Sequence, residues 1–200
     1  MKLPFFSFGE KVHNYDIPVF NEREIRAAAG IVFVGAFVAF MNAFLLGDYE
    51  ILKVFVVTFF LDFSIRLFIN PRFAPSMILG RMAVHNQVPE YAGAPQKRFA
   101  WAIGWIMSLI MIIVVVVLWY QGLFGRIMCI LCLTFLFFES AFGVCVGCKM
   151  YTFFTHKKAH LCPGWACEYH PKQAIQKISS SQIIALFLFA GIILFITTLF

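Results

Sequence analysis

Five stretches of this chain stay apolar over about the length a helix needs to cross a bilayer. A helix rises about 1.5 Å per residue, so roughly 20 residues traverse about 30 Å of hydrocarbon. The stretches cover about residues 27–46, 51–69, 99–120, 127–146 and 183–199. Soluble domains are roughly half apolar and a quarter charged. Here 62% of residues are hydrophobic, 13% are charged and the mean hydropathy is +0.85. The apolar residues form blocks and follow neither a 3.6-residue nor a 2-residue rhythm, so lipid is the expected solvent. The fold class predicted is all-α, a polytopic transmembrane helix bundle with about five spanning helices.

The borders of these blocks carry helix punctuation. Asn21 precedes the first block with Glu24 three residues on, the pattern of a capped helix start. Gly47-Asp48 ends that block, and Asn70-Pro71 ends the second, because the residue before a proline disfavours helix. Residues 71–98 contain Pro71, Pro75, Pro89 and Pro95, too broken to span, and read as an ordered cap or binding surface. Trp101, Trp105, Trp119 and Tyr120 bracket the third block as interfacial aromatics do. The expected layout is an arm over 1–26, a four-helix membrane core over 27–155, a Cys/His loop over 156–182 and a fifth helix over 183–200.

Positive charge alternates along this layout. Lys2, Lys11, Arg23 and Arg26 lie in the arm, Arg72, Arg81, Lys97 and Arg98 in the second connection, and Lys149, Lys157, Lys158, Lys172 and Lys177 after the fourth block. The other connections carry little, so the positive-inside rule predicts a multi-pass protein of the cytoplasmic (inner) membrane with its N-terminus in the cytoplasm. The net charge of +6 is thereby absorbed by topology and calls for no nucleic-acid partner. The first 26 residues lack the apolar core of a secretory signal peptide, so the first block is expected to be retained.

All six cysteines lie between Arg126 and Glu168. Cys129 and Cys132 open the fourth block and Cys145 and Cys148 close it, predicting sulfur pairs roughly 20 Å apart at opposite membrane faces. The first pair is expected in the first helical turn, where the dipole and Arg126 would favour a reactive thiolate. The plainer alternative is that small polarizable side chains pack there. On the other face Cys145, Cys148, Cys162 and Cys167 are spaced Cys-x2-Cys-x13-Cys-x4-Cys, near His156, His160 and His170. That spacing is compatible with tetrahedral zinc, or with thiols that handle sulfur or electrons.

Asp62 and Arg66, four residues apart in the second block, share one helix face, and ionisable groups at such depth are kept only when paired or lining a polar cavity. Glu139 lies seven residues after Cys132, on nearly the same face. It is expected either to exchange protons with the thiols or to neutralise Arg66. No phosphate-binding loop, zinc-protease His pair, nucleophile elbow or dinucleotide fingerprint occurs, which disfavours hydrolase and nucleotide-driven mechanisms.

Several separated segments carry a family resemblance. They are Asn21-Glu22-Arg23-Glu24-Ile25-Arg26, Asp62-Phe63-Ser64-Ile65-Arg66, Asn70-Pro71, Ala94-Pro95-Gln96-Lys97-Arg98-Phe99-Ala100, and Cys129 to Cys148 through Glu139. Together they resemble the bacterial membrane family of domain of unknown function 4395, over about residues 18–170. The resemblance implies thiol or sulfur handling with a thioredoxin-like or sulfurtransferase partner, and its reach excludes the fifth helix. The leading expectation is therefore a membrane thiol-redox or sulfur-relay protein, thiol-disulfide oxidoreductase-like, using Cys129, Cys132, Glu139, Cys145 and Cys148. The alternatives are a non-enzymatic subunit or scaffold with structural zinc on Cys145, Cys148, Cys162 and Cys167, and a small-anion transport component, in complex or as an oligomer.

Overall fold

Asn21 ends one backbone form and starts another. The three-residue strand β1 (Val19–Asn21) runs directly into α1 (Glu22–Met41). The Asn21 side chain accepts from Arg23 N at 3.2 Å and donates to Glu24 Oε1 at 3.2 Å. Two acidic residues in the first turn complement the helix dipole. A computed structural model describes residues 8–12, 17–119, 122–155 and 180–197.

After α1 come α2 (Glu50–Ser64), α3 (Pro75–Ala83), the strand β2 (Tyr91–Gly93), α4 (Ala94–Met111), α5 (Leu123–Phe142), α6 (Val146–Thr155) and α7 (Ser180–Thr197). α1, α2 and α4 each continue through a wider turn, over Asn42–Leu46, Ile65–Ile69 and Ile112–Val117, in which N–H groups reach five residues back. β1 and β2 pair antiparallel with Val19 opposite Gly93, a small departure from an all-helical fold. Residues 71–98, expected as a cap, thus contain an amphipathic helix and a strand.

Two compact units divide the chain, one up to Glu168 and one from Tyr169. The second contains α7, whose sequence is apolar around its whole circumference. In the first unit α1, α2, α4 and α5 alternate in direction. Arg26 in α1 donates to Ala141 O at the end of α5, at 3.1 Å, close to where β1 meets β2. At the opposite ends, Lys53 Nζ lies 3.4 Å over the Trp119 ring, and the Arg126 guanidinium lies 5.1 Å over Phe44.

Among the described residues, three helical stretches are long and apolar enough to cross a membrane: Glu22–Leu46, Ala94–Val117 and Leu123–Phe142. α2 with its wide turn is comparable in length but contains Lys53, Asp62 and Arg66. Large apolar side chains such as Val34, Val54, Leu61 and Ile106 point outward, as lipid-facing residues do. The inward face of α1 is instead small, with Ala28, Ala29, Ala36 and Ala39 buried, so neighbouring helices approach closely.

α3 approaches α1 closely. A Cβ built on Gly80 would lie 2.6 Å from Glu24 O and 2.8 Å from Ala28 N, both backbone atoms held by the α1 ladder. Gly80→Val is expected to push α3 off α1 and destabilise by about 1–3 kcal/mol, the usual range for overpacking. The thermal midpoint of detergent-solubilised protein should fall accordingly. Gly191→Ala, with no neighbour within 4 Å, should leave it unchanged.

Candidate functional site: a sulfur-lined seam along α5

α5 begins at Leu123, four residues before the block border suggests, so Cys129 and Cys132 are its seventh and tenth residues. A helix dipole acts mainly within the first turn. The expected activation by the helix N-terminus is therefore absent, and the Arg126 guanidinium stacks over Phe44. Cys129 is buried and Cys132 half-buried, both as free thiols, on the face of α5 turned toward α2 and α4.

The other end of α5 also differs from expectation. Gly143, at φ +63°, takes the left-handed conformation, its N–H bonding Glu139 O while Val144 N–H bonds Phe138 O, each at 3.1 Å. This double bond with a left-handed residue is a standard helix stop. Cys145 consequently lies beyond the helix, buried in the link to α6, and Cys148 belongs to α6. The second pair is not at the end of α5. Cys132 and Phe142 are still separated by about 15 Å of helical rise. A Cβ on Gly147 would lie 2.5 Å from Ala100 Cβ, so α6 packs directly on α4.

Two cavities follow the inner face of α5. The first, about 40 Å³, is lined by Cys129, Cys132, Met107, Met111 and Met128 among apolar neighbours. The second, about 60 Å³, is lined by Cys132, Glu139 and Cys145 with Trp101 and Met107. Cys132 and Met107 border both. The shared face expected for Cys132 and Glu139 is present, and Cys145 joins it.

Glu139 does not neutralise Arg66. Its carboxylate accepts from Lys97 Nζ at 2.7 Å. Lys97 is fully buried and also contacts Glu22, donating to Oε1 at 3.3 Å with Oε2 at 3.0 Å. The three groups join the starts of α1 and α4 to the last turn of α5. One helical turn beyond Glu22, Arg26 supplies donors to the α5 carbonyls of Ser140 and Ala141, which the helix stop leaves open.

Arg66 belongs to a separate network. Its Nε donates to Asp62 Oδ2 at 2.8 Å and its Nη2 to Ser76 Oγ at 2.5 Å. Ser76 in turn donates to Asp62 from its hydroxyl, at 2.6 Å, and from its backbone N–H, at 3.0 Å. The carboxylate thus caps the first turn of α3 from α2. Arg66 is 3% exposed and lies over the Phe63 ring, so the pair is an interior joint and the guanidinium does not extend toward a surface.

Lys97, Glu22 and Ser76 were not singled out in the sequence. One signal was available for Lys97. Pro95 is suited to a first helical turn, which would start α4 at Ala94 and set Ala94, Lys97, Trp101 and Ser108 on one inward face. Cys162, Cys167, His156, His160 and His170 lie outside the described residues. Among the described residues, no group of three or more His, Cys, Asp or Glu is placed to hold a metal ion.

The seam therefore offers three thiols, a carboxylate held by a buried ammonium, and soft thioethers in an otherwise apolar interior. Thiols and thioethers of this kind can take part in sulfur or electron chemistry. No curated protein and no solved structure matches the chain. The family model described as Domain of unknown function (DUF4395) matches residues 20–156, from within β1 to just past α6. The match takes in both cavities and both buried ion networks. Since it covers more than half of the chain, the protein belongs to the family described as Domain of unknown function (DUF4395).

Proposed function

We propose that this is a multi-pass membrane protein that passes electrons or sulfur along the inner face of α5. The observation carrying this reading is that Cys132 borders both cavities, with Cys129 in the first and Glu139 and Cys145 in the second. Cys129 and Cys132 are one helical turn apart, about the span a disulfide bridges. Their oxidation forms one S–S bond and releases two protons and two electrons, which a partner disulfide or a quinone would accept. In the sulfur-relay form, a thiolate attacks the terminal sulfur of a donor persulfide, takes that sulfur and releases the donor thiolate, with no net oxidation. The rise of about 15 Å between Cys132 and the end of α5 exceeds direct thiol exchange, so a small carrier or a helix movement links the two ends.

About five spans fit this reading. The alternating directions of α1, α2, α4 and α5 support α2 as a crossing, its Asp62 and Arg66 neutralising each other inside, and α7 supplies the fifth. The Lys and Arg distribution then sets the N-terminus in the cytoplasm of a bacterial inner membrane. A thioredoxin-like or sulfurtransferase protein is the partner proposed.

Intact membranes treated with oxidant or reductant and then with a permeant thiol reagent test the reading. Labelling of Cys129 and Cys132 should disappear together on oxidation and return on reduction. Glu139→Gln should slow that return if Glu139 supplies protons. Equal labelling under both conditions would remove the redox form, and absence of a persulfide mass adduct after incubation with a persulfide donor would remove the relay form.

A further inference from the structure

The chain has six cysteines and eight methionines among 200 residues. Five of the twelve described residues lining the first cavity nevertheless bear sulfur. Their spacing explains the gathering. Met107 and Met111 are four apart on α4, and Met128 and Cys132 are four apart on α5, with Cys129 one turn before Cys132. Each set therefore shares a helix face, and both faces meet in one cavity. Among the described lining residues Ser108 brings the only side-chain oxygen, and its hydroxyl donates to Trp105 O at 2.7 Å. Among the described residues, no carboxylate or imidazole lines this space.

We infer that this cavity binds one monovalent soft metal ion, Cu(I), through a thiolate of Cys129 or Cys132 and the thioethers of Met107, Met111 and Met128. Soft thiolate and thioether donors select Cu(I), whereas magnesium and calcium need several oxygen ligands, of which the described lining offers only the Ser108 hydroxyl. Charge points to the same ion. An apolar interior penalises any net charge. One thiolate with neutral thioethers cancels the single charge of Cu(I) while the other thiol keeps its proton, whereas a divalent ion would require both Cys129 and Cys132 to ionise in this apolar space. Binding forms a Cu–S bond, breaks one S–H bond and releases one proton, without a change of oxidation state. At about 40 Å³ the space suits a bare ion. The inference does not need the redox or relay reading to hold.

Anaerobic titration of purified, reduced, detergent-solubilised protein with Cu(I) against a chromogenic Cu(I) chelator tests it. One ion per chain should resist the chelator, with about one proton released, and Cys129→Ser/Cys132→Ser should abolish that uptake. Met107→Leu/Met111→Leu preserves volume and apolar character, and should weaken Cu(I) binding by at least about tenfold. Equal uptake by the double-serine protein, or undiminished affinity in the double-leucine protein, would overturn the inference. Reversible oxidation of the wild-type thiols without copper retention would sink the metal site alone. Copper retention in wild type whose thiols never oxidise or acquire sulfur would sink the thiol reading alone.

Discussion

Lys97→Met is expected to destabilise the protein by about 3–5 kcal/mol, the range for removing one member of a buried ion pair. The ammonium lies within 3.0 Å of Glu22 and 2.7 Å of Glu139 and is shielded completely from solvent. Its loss leaves the buried Glu22 and the partly buried Glu139 as neighbouring carboxylates without the ammonium between them. A typical folding free energy is about 5–15 kcal/mol, so this single change removes a large share. Thermal unfolding in detergent and the yield of folded protein are the readouts. Adding Glu22→Gln and Glu139→Gln in the same chain removes the uncompensated charge and should restore most of the loss. An unchanged midpoint in Lys97→Met would mean that the three groups contribute little.

Asp62→Ala should have an effect of similar size, about 3–5 kcal/mol, by a different route. Among the described residues Arg66 would keep only the Ser76 hydroxyl as a hydrogen-bond partner, and the Ser76 N–H would lose the carboxylate that caps α3. The damage should therefore be local, with α3 leaving α1 before the bundle opens. Protease cleavage within residues 84–90 should rise in Asp62→Ala while α4 and α5 resist. Asp62→Leu/Arg66→Met, which removes both charges, should be cleaved far less than Asp62→Ala. Cleavage of the double variant at the rate of the single one would show that hydrogen bonds to α3, and not the stranded guanidinium, dominate.

Some of this architecture was legible because the signals are local. Asn21 with Glu24, Gly47 and Asn70-Pro71 each act within one turn, and each border stands where those residues place it. Asp62 and Arg66 were recognisable as partners from their spacing alone. The end of α5 was not. Hydropathy continues unbroken through Val144, Cys145 and Val146, since a buried link and a lipid-facing helix want the same residues, and only Gly143 marks the stop. Prolines misled in residues 71–98, because Pro75 and Pro95 fall in first helical turns, where the missing N–H costs nothing. Lys97 looked like a surface charge because its partners Glu22 and Glu139 are 75 and 42 residues away. Such pairing belongs to the tertiary fold.

The ion triad also imposes an order on biogenesis. Glu22 leaves the ribosome first, Lys97 follows 75 residues later and Glu139 another 42 after that. At a synthesis rate of about 5–20 residues per second, the first helix waits several seconds with its starting carboxylate uncompensated. The segment inserted earliest is thus locked last, and a nascent chain truncated before residue 139 would present quality-control proteases with an unlatched bundle.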